Sequence, residues 1–284
     1  MFKQQLFLIG GGLLLLASLL FFGSTVAPKE ASVTPAFIPH TAPAFDVDGY
    51  IIAKEKSLSP DQKNYIGDLA NSVKRGDVKD QQIKVDDALA AFWEDSAKEA
   101  DIANYYKGKS AELVNSEKNL TFAARLILDR LRGEQENGKR TWEAEQAIGL
   151  LDKAIALDPN NDDLKVDVAS CYVFGKGMAG DPMETMKGVR QLLDIVERDP
   201  NNMKAQLVLG IGGVISTQYD KAIQRLTLVV TKQPDNLEAV SWLADAYAAK
   251  GDKANAVKWY EFSKRLENNP QFSKEVDERV RQLQ

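Results

Sequence analysis

The feature that most constrains this chain is the spacing of its helix breakers. Asp158-Pro159-Asn160-Asn161, Asp199-Pro200-Asn201-Asn202, Gln233-Pro234-Asp235-Asn236 and Asn269-Pro270 punctuate the C-terminal half, with successive prolines 41, 34 and 36 residues apart. Proline ends a helix, and the Asn or Asp beside it can cap the next one. Each interval therefore has room for two helices and a turn. Within the intervals apolar residues recur at three- and four-residue steps, and no stretch alternates as a half-buried strand would. The chain reads as all-α.

Side-chain size follows the same period. In the interval ending at Pro234, Leu209-Gly210 lies thirteen residues before Ala222, and Pro234 follows twelve after it. The next interval runs Leu243-Ala244, Tyr247, Gly251-Asp252, Ala256, Tyr260. Small residues let two helices approach closely, and large ones fill the gap beside them. From Thr141 to Asn269 the chain resembles the tetratricopeptide repeat family, whose 34-residue helix–turn–helix unit has this pattern. The interval ending at Pro200 begins Val168-Ala169 and Tyr172, and its seven extra residues fall in the turn Gly175 to Pro182. An earlier unit shows its second helix from Trp142 to Asn161. Its first helix, around Leu120 to Leu131, stands before the insertion GEQENGKR. Phe272, Val276, Val280 and Leu283 form one apolar stripe, as expected of a capping helix.

The resemblance implies a right-handed α-solenoid in which the first helix of each pair lines a concave groove for partner segments. Carried over position by position, that wall is Asp163, Val166, Ser170, Val173 and Phe174, then Lys204, Leu207, Ile211, Val214 and Ile215, then Glu238, Ser241, Asp245 and Ala248. Family members that clamp a C-terminal carboxylate place Lys, Arg and Asn there. Val166, Ser170, Leu207 and Ile211 instead imply a largely apolar groove, suited to an apolar peptide or an amphipathic helix. An N-terminal helix of the same chain or a second copy could fill it, so self-association stays open.

Ahead of the repeats, Leu6 to Val26 is a run of 21 residues without charge, close to the roughly 20 needed to span a bilayer. A cleavable signal peptide has the same outline. Its best cleavage site, Thr25-Val26-Ala27, is followed by Pro28, which favours an uncleaved signal anchor. Lys3 and the α-amino group bias the N-terminus to the cytoplasmic side and the rest to the extracytoplasmic (periplasmic) side. A cytoplasmic domain is the alternative. The expected organisation is a transmembrane helix over 1–26, a Pro-rich linker over 27–48, a helical region with a degenerate repeat over 49–116, the repeat array over 117–270 and a capping helix over 271–284. In the helical region Ser59-Pro60-Asp61-Gln62 signals a helix start, and Gly76 a stop.

Composition removes most chemistry. One Cys and one His among 284 residues leave no disulfide, zinc ribbon or His-rich metal site, and a net charge of −5 argues against a nucleic-acid binder. His40 falls in the linker, and Cys171 lies on a repeat helix without a basic partner. Gly175-x-Gly177-x-x-Gly180 spells a dinucleotide fingerprint but follows a helix rather than a strand, so it reads as an inter-helix turn. Gly210-x-Gly212-Gly213 reads as close helix packing. Asp86-Asp87 and Asp162-Asp163 read as solvated or capping acids. No catalytic residue, cofactor or metal is expected. The expectation is a membrane-anchored, non-enzymatic scaffold for protein partners. The alternative is an accessory subunit of a membrane assembly machine, similar to the anchored repeat proteins that present apoprotein in cytochrome c maturation, although no heme-handling motif is present.

Overall fold

The computed structural model describes residues 44–73, 78–267 and 269–283, all within the compact unit His40–Gln284. The expected transmembrane helix, most of the linker with His40, and Gly76 lie outside the described residues. Among the described residues every regular element is helical, and no helix is long and apolar enough to cross a membrane.

In chain order the helices are α1 (Val47–Glu55), α2 (Pro60–Ala70), α3 (Val78–Ala91), α4 (Ala100–Val114), α5 (Glu117–Leu131), α6 (Asn137–Leu157), α7 (Asp162–Ser170), α8 (Pro182–Arg198), α9 (Met203–Ile215), α10 (Tyr219–Lys232), α11 (Leu237–Lys250), α12 (Lys253–Leu266) and α13 (Pro270–Leu283). Two wider π-helical turns, Phe92–Ser96 and Cys171–Gly177, extend α3 and α7. The linker expected to reach residue 48 in fact gives way to α1 at Val47, where the Asp46 carboxylate caps the helix by accepting from the Gly49 N–H.

The breakers act as their chemistry dictates. Asp199 and Gln233 end α8 and α10, and the following Pro200 and Pro234 preclude continuation. Three residues after each helix end, Asn202 and Asn236 accept from the N–H of Ala205 and Ala239, both at 2.9 Å, and start the next helix. Asp252 does the same for α12 through the Asn255 N–H. At the N-terminal end Ser59 and Gln62 form a reciprocal capping box.

The helices pack as consecutive hairpins: α5 with α6, α7 and its π turn with α8, α9 with α10, α11 with α12, and α13 laid on α12. The first helices of neighbouring hairpins, α5, α7, α9 and α11, also touch in succession. Such a stack buries a core that continues from one hairpin to the next. Ala222, Ala239, Ala244 and Ala256 are fully buried where backbones approach most closely. Gly210 serves the same end, since a Cβ there would stand 2.7 Å from Leu226 Cγ. In the cap, Val276 and Val280 are buried, with Phe272 and Leu283 against the same cluster. Ion pairs tie the cap to α11 and α12, Arg279 to Asp245 at 2.6 Å and Asp277 to Lys264 at 2.5 Å.

The N-terminal seam is built differently. The insertion over 133–140 runs into α6, which starts at Asn137, and its Lys139 and Arg140 are buried. Lys139 pairs with Asp101 on α4, which also accepts from the Tyr50 hydroxyl of α1 at 2.7 Å. Glu134 meets the same ammonium at 3.0 Å. Burial alone would raise the Asp101 pKa, but the hydrogen bonds from Lys139 and Tyr50 outweigh it and hold it below the ordinary value. Glu143, one turn along α6, is buried with an unpartnered Oε2, and burial pushes its pKa up to about 7. Asp86 corrects an expectation. It is wholly buried, accepts from Gln82 at 3.0 Å, and is raised in pKa by burial rather than being a solvated acid.

Candidate functional site

Along the first helices of the hairpins runs a groove of about 450 Å³. From α5 and its C-cap come Arg125, Leu128, Asp129 and Arg132, a stripe at i, i+3, i+4 and i+7. Asp163, Asp167 and Ser170 of α7 follow, and the π turn after it brings in Phe174. Lys204, Leu207, Val208 and Ile211 of α9 and Glu238 of α11 complete the wall. Four successive hairpins thus contribute to one surface.

The floor and the rim differ in character. Phe174, Val208 and Ile211 form a largely buried apolar floor, while Leu128 and Leu207 stand half exposed above it. Ion pairs run between the helices along the rim. Asp167, only 2% exposed in its side chain, takes Arg125 at 2.8 Å from α5 and Lys204 at 2.6 Å from α9. Arg132 lies 5.2 Å over the Phe174 ring and reaches Glu238 at 2.5 Å, joining the first and fourth hairpins. Partial burial raises the Asp129 pKa, opposed by Arg132 and reinforced by the like charges of Glu238 and Asp167.

Of the residues expected on this wall, Asp163, Ser170, Phe174, Lys204, Leu207, Ile211 and Glu238 meet in the groove. Others point elsewhere. Val166 and Val173 are buried in the core with Leu192 and Ala205. Val214 packs against the next core, and Ile215 is exposed where α9 ends. Ser241 is half buried outside the groove lining. Asp245 is engaged by Arg279 and the Tyr260 hydroxyl at the cap, and Ala248 packs against the cap cluster. The α5 stripe and Asp167 were not among the expected positions. The insertion after α5 hides its repeat register, although the i, i+3, i+4, i+7 spacing marks it as one face.

The remaining motifs resolve as packing. A Cβ on Gly175 would stand 2.3 Å from the Ala144 Cβ, and one on Gly177 2.1 Å from Thr185 Oγ1, so these glycines let the turn lie against α6 and α8. Cys171 is wholly buried, which pushes its thiol pKa far up and keeps it from acting as a thiolate. Among the described residues no group of three or more His, Cys, Asp or Glu is placed to hold a metal ion. Asp162, paired with Lys165 and Arg198, sits in the first turn of α7.

No protein-family model matches the chain, and no curated protein does. Among solved structures it is similar to YrrB, described as a TPR protein with an unusual peptide-binding site, at 15% identity and a TM-score of 0.40 over 76% of this chain and 97% of that one. It is also similar to MamA, at 16% identity and a TM-score of 0.40 over 66% and 93%. A third is the TPR domain of P58(IPK), at 14% identity and a TM-score of 0.31 over 83% and 77%. Those scores are low, and the hairpin-stack architecture rests on the helices of this chain itself.

Proposed function

We propose that this chain is a membrane-anchored, non-enzymatic scaffold that holds a protein segment in the groove lined by α5, α7, α9 and α11. The observation that carries the reading is convergence: four successive hairpins supply one concave surface with an apolar floor and a charged rim. Helix-in-groove recognition needs that combination, apolar anchors for affinity and fixed charges for register. The uncharged run Leu6 to Val26 would hold the scaffold at a bilayer, with the repeats on the extracytoplasmic side.

The test is partner retention by the full-length chain on substitution of Leu207, which is half exposed in the groove. Leu207→Glu is expected to abolish capture of specifically bound protein while the chain stays folded and helical, its melting temperature falling only in part because Leu207 also packs against the two neighbouring cores. Retention of every bound protein by that variant refutes the reading. Ile211→Glu is not a usable companion, because Ile211 is 1% exposed and the change would bury a charge in the core.

A further inference from the structure

The charges along the groove are unequally committed. Arg125 and Lys204 both clamp Asp167, and Arg132 is engaged by Glu238. Asp129 and Asp163 line the same surface with no ion pair to their carboxylates among the described residues; Lys204 touches Asp163 only at its backbone carbonyl, at 3.2 Å. An anionic segment would find every cation here already facing an acid and would have to share it, standing beside Asp167 or Glu238. At Arg125 and Lys204 that means like-charge repulsion from Asp167, whose almost fully buried carboxylate depends on both cations. A cationic segment breaks nothing. It meets two carboxylates that have no ion pair, in a lining where the acids Asp129, Asp163, Asp167 and Glu238 outnumber the cations Arg125, Arg132 and Lys204.

We infer that the groove selects a segment carrying a lysine or arginine beside apolar side chains, the cation pairing with Asp129 or Asp163 while the apolar groups settle on Leu128 and Leu207. The inference rests on the groove being the partner's seat and adds the chemistry of that partner. Discrimination comes as much from the penalty against acids as from the attraction to bases.

The experiment uses three synthetic leucine-containing helical peptides, identical except for Lys, Gln or Glu at the spaced polar positions. Each is titrated by fluorescence anisotropy onto the full-length chain in nonionic detergent, at low and high salt. Leu207→Gln measured in parallel defines the micelle background. The expected result is about tenfold tighter binding of the Lys peptide than of the Glu peptide at low salt, a difference that high salt reduces. Asp129→Asn combined with Asp163→Asn should erase the preference and leave the Gln peptide's affinity unchanged. Equal affinities for all three peptides, or a preference for Glu, would overturn the cationic selection while leaving the groove as a binding surface. If no peptide shows binding sensitive to Leu207→Gln, the groove reading fails, and this inference with it.

Discussion

The seam joining α1, α4 and α6 and the hairpins from α9 to α12 hold helices together by opposite means. In the seam, Lys139, Asp101, Glu134 and Tyr50 exchange charge-assisted hydrogen bonds out of water, with Glu143 buried beside them. In the hairpins, Ala222, Leu226, Ala239 and Leu243 share one apolar cluster with no buried charge among them. Apolar contacts tolerate small adjustments. A buried ionic network does not, because removing one partner leaves the other desolvated and uncompensated.

The sharpest way to break the comparison is Asp101→Asn. With the Lys139 ammonium left to Glu134 alone and the Tyr50 hydroxyl deprived of its carboxylate, destabilisation of about 3 kcal/mol is expected in chemical denaturation. A loss under about 1 kcal/mol would show that the seam is not held by charge. Next comes Glu143, whose folded pKa of about 7 exceeds the ordinary 4.5. The folded state then binds more protons than the unfolded chain between those values, so this group costs stability as pH rises through that window, by up to about 3 kcal/mol. Glu143→Gln should flatten that part of the stability–pH profile and gain most above pH 7. Asp101, held below its ordinary value, acts in the opposite sense, and its contribution disappears as the solution is acidified through the carboxylate range. An unchanged profile in the Gln variant would place Glu143 in water.

Effects in the hairpins should be smaller. Gly210→Ala forces a methyl toward the Leu226 side chain, at a cost of about 1–3 kcal/mol in denaturation midpoint terms. Asn236→Ala removes the cap on α11, worth about 1 kcal/mol. A hairpin cap that outweighed the Asp101 pair would invert the comparison.

The contrast also explains which parts of the chain were legible in the sequence. Proline and asparagine at 159–161, 200–202 and 234–236 announce the hairpins because backbone chemistry acts locally. The groove positions on α9 follow from the same register, as Lys204, Leu207 and Ile211 show. On α7 the register holds at Asp163 and Ser170 but not at Val166 or Val173, which lie in the core, and the π-helical turn that carries Phe174 onto the groove has no composition signal. The seam was hidden for a different reason. Lys139, Asp86 and Glu143 have the composition of a wet surface, and only the fold brings them partners or encloses them. The α5 stripe, charged at Arg125, Asp129 and Arg132, resembled ordinary surface in the same way.

The central claim is that the concave wall, not the outer face, is where a partner sits. Its most direct test is site-specific photo-crosslinking in the native host, with a benzophenone side chain at Leu207 in the groove or at Met183, which is exposed on α8 outside it. The account predicts a discrete crosslinked protein from position 207 and none from 183. The same adduct from both positions, or one from 183 alone, would contradict it.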